Sequence, residues 1–240
     1  MTDLIPKEKK FHFFVYIIES PSAVDMYHQR GEGGVIQQAV RLNQLQCVHR
    51  LAINRQAFEA SLQIGLTEAM SATPNSVPII HISAHGFSDG IQLSSEEIID
   101  WAQLKGLLTP INKALNGNLI VCMSTCEGYS GSRMAMLSEP DDFPFLALVA
   151  NGSKPTWPET AVAFSAFYHL LANDRYVTDA VDAMRVASGN DSFFVTTAAE
   201  SRQSYLDFVA ELDTSEVREE LEGQIETPSD SALEKFAAER

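Results

Sequence analysis

Cysteine is scarce in this chain of 240 residues, with three in all. So small and odd a count, in a chain this long, does not make a disulfide framework. Free thiols in a reducing, cytoplasmic compartment are the expectation. Basic residues are few as well: 17 Lys and Arg face 32 Asp and Glu, for a net charge of −15. That balance argues against nucleic acid or an anionic membrane surface as an electrostatic partner. Residues 211–240 hold ten of the acids and three of the bases, −7 in a single stretch. The expected organisation is therefore one domain over 1–212 and an acidic tail over 213–240, read as a mobile or loosely docked helix. No stretch approaches the roughly 20 apolar residues of a membrane helix. The opening "KEKKFHFFVYIIESPSA" has the basic-then-apolar layout of a signal peptide. Its run is short, contains His12 and is rich in aromatic and β-branched residues, so a buried first strand is the better reading. Internal repeats and low-complexity tracts are absent too.

What is present is a 45% apolar composition, enough for a sizeable core, arranged in short apolar runs. FHFFVYIIES (11–20), CVHRLAI (47–53), VPIIHISAH (77–85), NLIVCMST (118–125), PFLALVANG (144–152) and SFFVTTA (192–198) read as strands. Between them lie helical patterns over 34–46, 56–71, 157–173 and 178–188; in the second, Phe58, Leu62, Leu66 and Ala69 share a face. GFSDGIQLSS carries an Asp-Gly hairpin signal, and the Ser-x-x-Glu that begins SSEEIIDWAQLKGLLTPINKAL predicts a capped helix from there. Apolar strands alternating with helices predict an α/β fold. The expectation is a three-layer sandwich with a mostly parallel central sheet of about six strands.

Two of these strands end in chemistry. His81 and Cys122 lie inside apolar runs, and His85 and Cys126 lie at their exits. As strand residues, each pair spans roughly 13 Å. Zinc holds each ligand at about 2.0–2.3 Å, so neither pair closes on one ion and no metal is expected. "GYSGS" (128–132) is not a nucleophile elbow, because its glycine comes one place early. In open α/β sheets, functional groups gather at the carboxyl ends of strands. His85 and Cys126 are 126 − 85 = 41 residues apart, enough for a hairpin and a crossover helix. On neighbouring strands they would form a nucleophile and its base. Gly86 would leave a backbone N–H open to an oxyanion, and Gly128 would let substrate approach. His81, Cys122 and Cys47 read as core.

"HISAHG" followed by "STCEG" resembles the caspase-like cysteine peptidases, and more narrowly the CHAT group of bacterial caspase-like domains. "HGFSDGIQLSSEEIIDWAQLKGLL" is similar to that group's His-Gly, short hairpin and helix. "NGSKPTWPETAVAFSAFYHLLANDRYVTDAVDAMRVAS" is similar to its later strand, Trp-containing loop and two helices. The likeness covers roughly residues 10–200. Gly128 departs from the Thr common in the CHAT turn, and the helical-repeat region that often accompanies such domains is missing.

The resemblance implies an endopeptidase that needs no cofactor. Cys126 would attack the scissile carbonyl, His85 would manage the proton, and the backbone N–H groups of Gly86 and Cys126 would hold the oxyanion. No third orienting acid is evident. A protein substrate is implied, as are an activating or regulatory protein and a bacterial defence or cell-death setting. The family also implies a pocket for the residue before the cut. It would draw on the Glu19-Ser20-Pro21 region with Asp25, on Ser124, and on the loop with Lys154 and Trp157. Glu19 or Asp25 would favour Arg or Lys there, and Lys154 an acidic residue; the plainer reading is that all three are solvated charges. A non-catalytic scaffold or regulatory subunit, or another α/β hydrolase or transferase, remains open beside the peptidase.

Overall fold

The computed structural model describes residues 12–211. In chain order, strand β1 (Phe13–Ser20) leads through the short helix α1 (Ala23–Tyr27) to α2 (Gly33–Leu42) and β2 (Cys47–Leu51). Helices α3 (Arg55–Ala60) and α4 (Leu66–Ala72) flank a π-helical turn and precede β3 (Val77–Phe87). The hairpin strands β4 (Gly90–Gln92) and β5 (Ile98–Asp100) run into α5 (Trp101–Ala114). Strand β6 (Ile120–Ser124), helix α6 (Arg133–Met136) and β7 (Ala147–Asn151) follow. Then come α7 (Trp157–Ala172), α8 (Val177–Ser188), β8 (Phe193–Thr197) and α9 (Ala198–Glu211).

The sheet order is β2-β1-β3-β6-β7-β8, parallel throughout except for the antiparallel edge strand β8. Every residue of β1, β6 and β7 is buried, as expected of strands covered on both faces. Phe14, Tyr16, Ile18, Ile80, Ile82, Val121 and Met123 face one core with Phe58, Leu62, Leu66, Leu104 and Leu108. The alternate residues Val15, Ile17, Ile79, Cys122 and Val149 face a second core with Ile36, Val40, Phe164, Phe167 and Met184. The architecture is the predicted three-layer α/β sandwich. The face formed by Phe58, Leu62, Leu66 and Ala69 is buried as its spacing requires. Its helix widens at Ser61–Gly65, where the Tyr16 hydroxyl donates to the Ser61 carbonyl at 2.7 Å.

One reading of the sequence needs correction, and one helix went unread. The Ser94-x-x-Glu97 stretch does not cap a helix; it turns β4 into β5, with Glu96 in a left-handed conformation at φ 70°. The cap is Asp100, whose carboxylate accepts from the Gln103 N–H at 2.7 Å. Six residues assigned to the helix are thus turn and strand. The unread helix is α9, which no apolar stripe announces. Its signal is Thr197-x-x-Glu200: Glu200 accepts from the Thr197 N–H at 2.8 Å, and the Thr197 hydroxyl accepts from the Glu200 N–H at 3.1 Å. The acidic tail over 213–240 lies outside the described residues. No helix among the described residues is long and apolar enough to cross a membrane.

Candidate active site

Strands β3 and β6 are neighbours, and their ladder ends at the pair Ser83 and Ser124. Two residues further on, His85 and Cys126 leave the sheet side by side. At His85, β3 trades its parallel partner for the hairpin, pairing with Gln92. Beyond Ser124 the chain turns sharply, with Glu127 left-handed at φ 53° and its N–H donating to the Ser153 carbonyl at 2.7 Å. His85 and Cys126 both line one cleft of about 690 Å³, together with Ser124 and Trp157. Cys122 and His81, at 0% exposure, are core residues as expected, and Cys47 is buried.

Both glycines are required by close contacts that the sequence did not show. A Cβ on Gly86 would stand 2.5 Å from the Cys126 carbonyl oxygen and 2.7 Å from Thr125 Cβ. Only a residue without a side chain lets the cysteine turn sit against the strand that carries the histidine. Gly128 does not face the cleft as an approach for substrate. It is buried inside the turn, where a Cβ would lie 2.6 Å from Thr125 Oγ1.

His85 does have a carboxylate partner, which the sequence reading missed. Its Nε2 lies 2.8 Å from Asp25 Oδ2. Asp25 belongs to α1, whose cap is Ser22; the Ser22 hydroxyl donates to Asp25 Oδ2 at 2.6 Å and accepts from the Asp25 N–H at 3.1 Å. Burial alone would push the Asp25 carboxyl up. The hydrogen bonds from Ser22 and His85, the charge on His85 and the Trp157 indole outweigh it and hold the group below its usual range. Trp157, first residue of α7, meets the His85 ring edge-on with centroids 5.8 Å apart. The imidazole is therefore fixed from two sides, and Asp25 and Trp157 act on the histidine. This corrects Asp25 as a specificity carboxylate. The available signal was Ser22-x-x-Asp25 just past the first strand.

Glu19 is also corrected. It is 3% exposed and does not line the cleft. Its carboxylate accepts from the Gly33 N–H at 2.7 Å and lies 2.7 Å from His49 Nε2. Burial opposes its charge, but these bonds prevail and lower its pKa. Lys154 is 75% exposed and 3.6 Å from Glu127, so it is a solvated charge near the cysteine turn. Burial pushes the Cys126 thiol up; Lys154 offsets this in part and Glu127 adds to it. A thiol raised in this way would need a base to act as a nucleophile near neutral pH. Among the described residues no three His, Cys, Asp or Glu side chains converge as metal ligands. Compared with protein-family models and with curated proteins, the sequence matches none.

Proposed function

We propose that the chain is a cysteine endopeptidase of the caspase-like kind. The observation that carries this reading is the opening of His85 and Cys126, at adjacent strand exits, into one cleft while Asp25 holds the far side of the imidazole. With Nε2 engaged by Asp25, Nδ1 is the ring nitrogen left to serve as base. It takes the Cys126 proton as Sγ bonds to the scissile carbonyl carbon. The backbone N–H groups of Gly86 and Cys126 receive the negative charge that develops on the carbonyl oxygen. His85 then passes the proton to the departing amine as the peptide bond breaks, leaving a thioester. Water, deprotonated by the same histidine, hydrolyses that thioester and frees the thiol. Asp25 orients the ring and stabilises the imidazolium formed midway, as a carboxylate does in other triads.

The "HISAHG" and "STCEG" resemblance supports a protein as substrate, and a cytoplasmic defence or cell-death pathway gated by a partner protein. A second reading, a non-catalytic scaffold or regulatory subunit, draws on the raised Cys126 thiol. Peptidyl acyloxymethyl ketones decide between them. The peptidase reading expects a covalent adduct at Cys126, seen as added mass on the intact protein. Cys126→Ala should abolish it, and His85→Ala should slow it by about 10³-fold or more. A folded wild-type protein that no such probe modifies would leave the scaffold standing.

A further inference from the structure

At and beneath the cleft wall are buried polar atoms that nothing in the protein satisfies. Glu32 Oε2 and the hydroxyls of Ser83, Ser124 and Thr125 are all buried without a hydrogen-bond partner; Glu32, Ser124 and Thr125 belong to residues lining the cleft, and Ser83 pairs with Ser124 behind it. Buried polar groups are nearly always paired, so four orphans on neighbouring residues call for an explanation. The Ser83–Ser124 pair closes the β3–β6 ladder, on the side chains' alternation shared with His81 and Cys122. Glu32 overlies that same face, its other oxygen 3.4 Å from His81 Nε2. Glu32 and Ser124 line the cleft together. Gly31 and Gly33 seat the glutamate there: a Cβ at either would strike the Glu19 carboxylate, at 2.8 and 2.7 Å. The loop can close on Glu19 only because both neighbours of Glu32 are glycine.

We infer that this floor binds the cationic side chain of the substrate residue preceding the cut, lysine or arginine. The inference rests on the peptidase reading for the identity of the ligand as a peptide. Glu32 Oε2 supplies the countercharge, and Ser124 Oγ accepts a further N–H. Ser124 precedes Cys126 by two residues, roughly 7 Å of extended strand. A short side chain on the acylated residue cannot cover that depth, whereas an arginine or lysine carries its charge on a long stem. Ala161 and Thr160 line the wall against which such a stem lies. Arg30 also lines the cleft but is exposed, so water screens it, whereas Glu32 is 1% exposed and acts at low dielectric.

Two measurements test the floor independently of each other. Agmatine and glutarate are titrated into Cys126→Ala by calorimetry; agmatine should bind, and glutarate should not. Acyloxymethyl ketones with Arg, Lys, Leu or Asp next to the warhead are then timed against the wild type. Arg and Lys should alkylate Cys126 at least about 10-fold faster than Leu, with Asp slowest, as a buried charge-assisted pair would give. Glu32→Gln should remove that preference and the agmatine binding; Ser124→Ala should weaken both by less. If Glu32→Gln does not fold, the wild-type order and agmatine titration decide alone. Agmatine binding without alkylation by any probe would uphold the floor and sink the peptidase. Alkylation led by Leu or Asp, with no agmatine binding, would overturn the floor and keep the peptidase. Neither binding nor alkylation would overturn both.

Discussion

Gly86→Ala adds one carbon where the cysteine turn presses on the histidine strand. The new atom would start 2.5 Å from the Cys126 carbonyl oxygen, against an ordinary lower limit of 3.4 Å. Relief therefore requires a shift of 3.4 − 2.5 = 0.9 Å between two backbone segments. Gly86 is not left-handed, so the contact is the whole perturbation. Overpacking on this scale costs about 1–3 kcal/mol. For a domain of this size that is a fall in Tm of about 2–12 °C, so the variant still folds at 25 °C. The functional loss should be larger. Displacing a nucleophile from its base by about 1 Å costs on the order of 10²-fold in rate. Calorimetry gives the Tm, and alkylation of Cys126 by a peptidyl acyloxymethyl ketone gives the rate. Gly34→Ala is the control: nothing lies within 4 Å of its Cβ position in α2, so it should gain roughly 0.5–1 kcal/mol and leave the rate alone. A Gly86→Ala protein that alkylates at the wild-type rate would refute the claim that this contact sets the spacing of the pair.

Other outcomes follow from the same geometry. Asp25→Asn should slow probe alkylation by about 5–30-fold, from a charge-assisted bond of about 1–2 kcal/mol, discounted because the His85 side chain is 41% exposed. An unchanged rate would make the Asp25–His85 bond incidental. In the native protein a thiol reagent should titrate Cys126 alone, because burial pushes Cys47 and Cys122 to about 12; all three should react once the chain is denatured. Without substrate, the Cys126 rate should still be climbing past pH 9, its thiol being raised; a plateau near neutrality would contradict that. The lowered carboxyl groups of Glu19 and Asp25 stabilise the fold above the ordinary carboxylate range, and that contribution is lost as pH falls through their folded values. Their share of stability should thus be flat from about pH 5 upward and decline below about pH 4. Glu19→Gln should blunt the decline, and an equally steep acid limb in that variant would count against the assignment.

The sheet was legible because a strand buried on both faces needs an unbroken apolar run, and β1, β3, β6 and β7 each have one. The helix starts were harder to read. Ser94-x-x-Glu97 and Asp100-x-x-Gln103 both spell a cap, and the choice depends on whether Ile98 and Ile99 pair with β4, which is a tertiary matter. Helix α9 lacks the apolar stripe that makes a helix visible, so its Thr-x-x-Glu cap had nothing to begin. The chemical pair was legible for the reason the strands were. A histidine and a cysteine that each end an apolar run must emerge at the same edge once the strands are parallel.

The carboxylates around that edge were not assignable from sequence, because donors brought by folding decide what each one does. Glu19, Asp25 and Glu32 fall within fourteen positions of one another. Glu19 meets the Gly33 N–H and the His49 ring, both from elements later in the chain, and is fully engaged in holding the loop that follows α1. Asp25 meets Ser22 from its own turn and His85 from 60 residues away, and so orients the His85 ring. Glu32 has one distant contact at 3.4 Å and one oxygen with none. A buried carboxylate oxygen without a donor is unfavourable in the free protein, and a ligand that brings the donor recovers that cost on binding. The same accounting separates the three positions: where the protein supplies every donor the acid holds the fold, and where it withholds one, as at Glu32 Oε2, the acid has an oxygen that a ligand could engage.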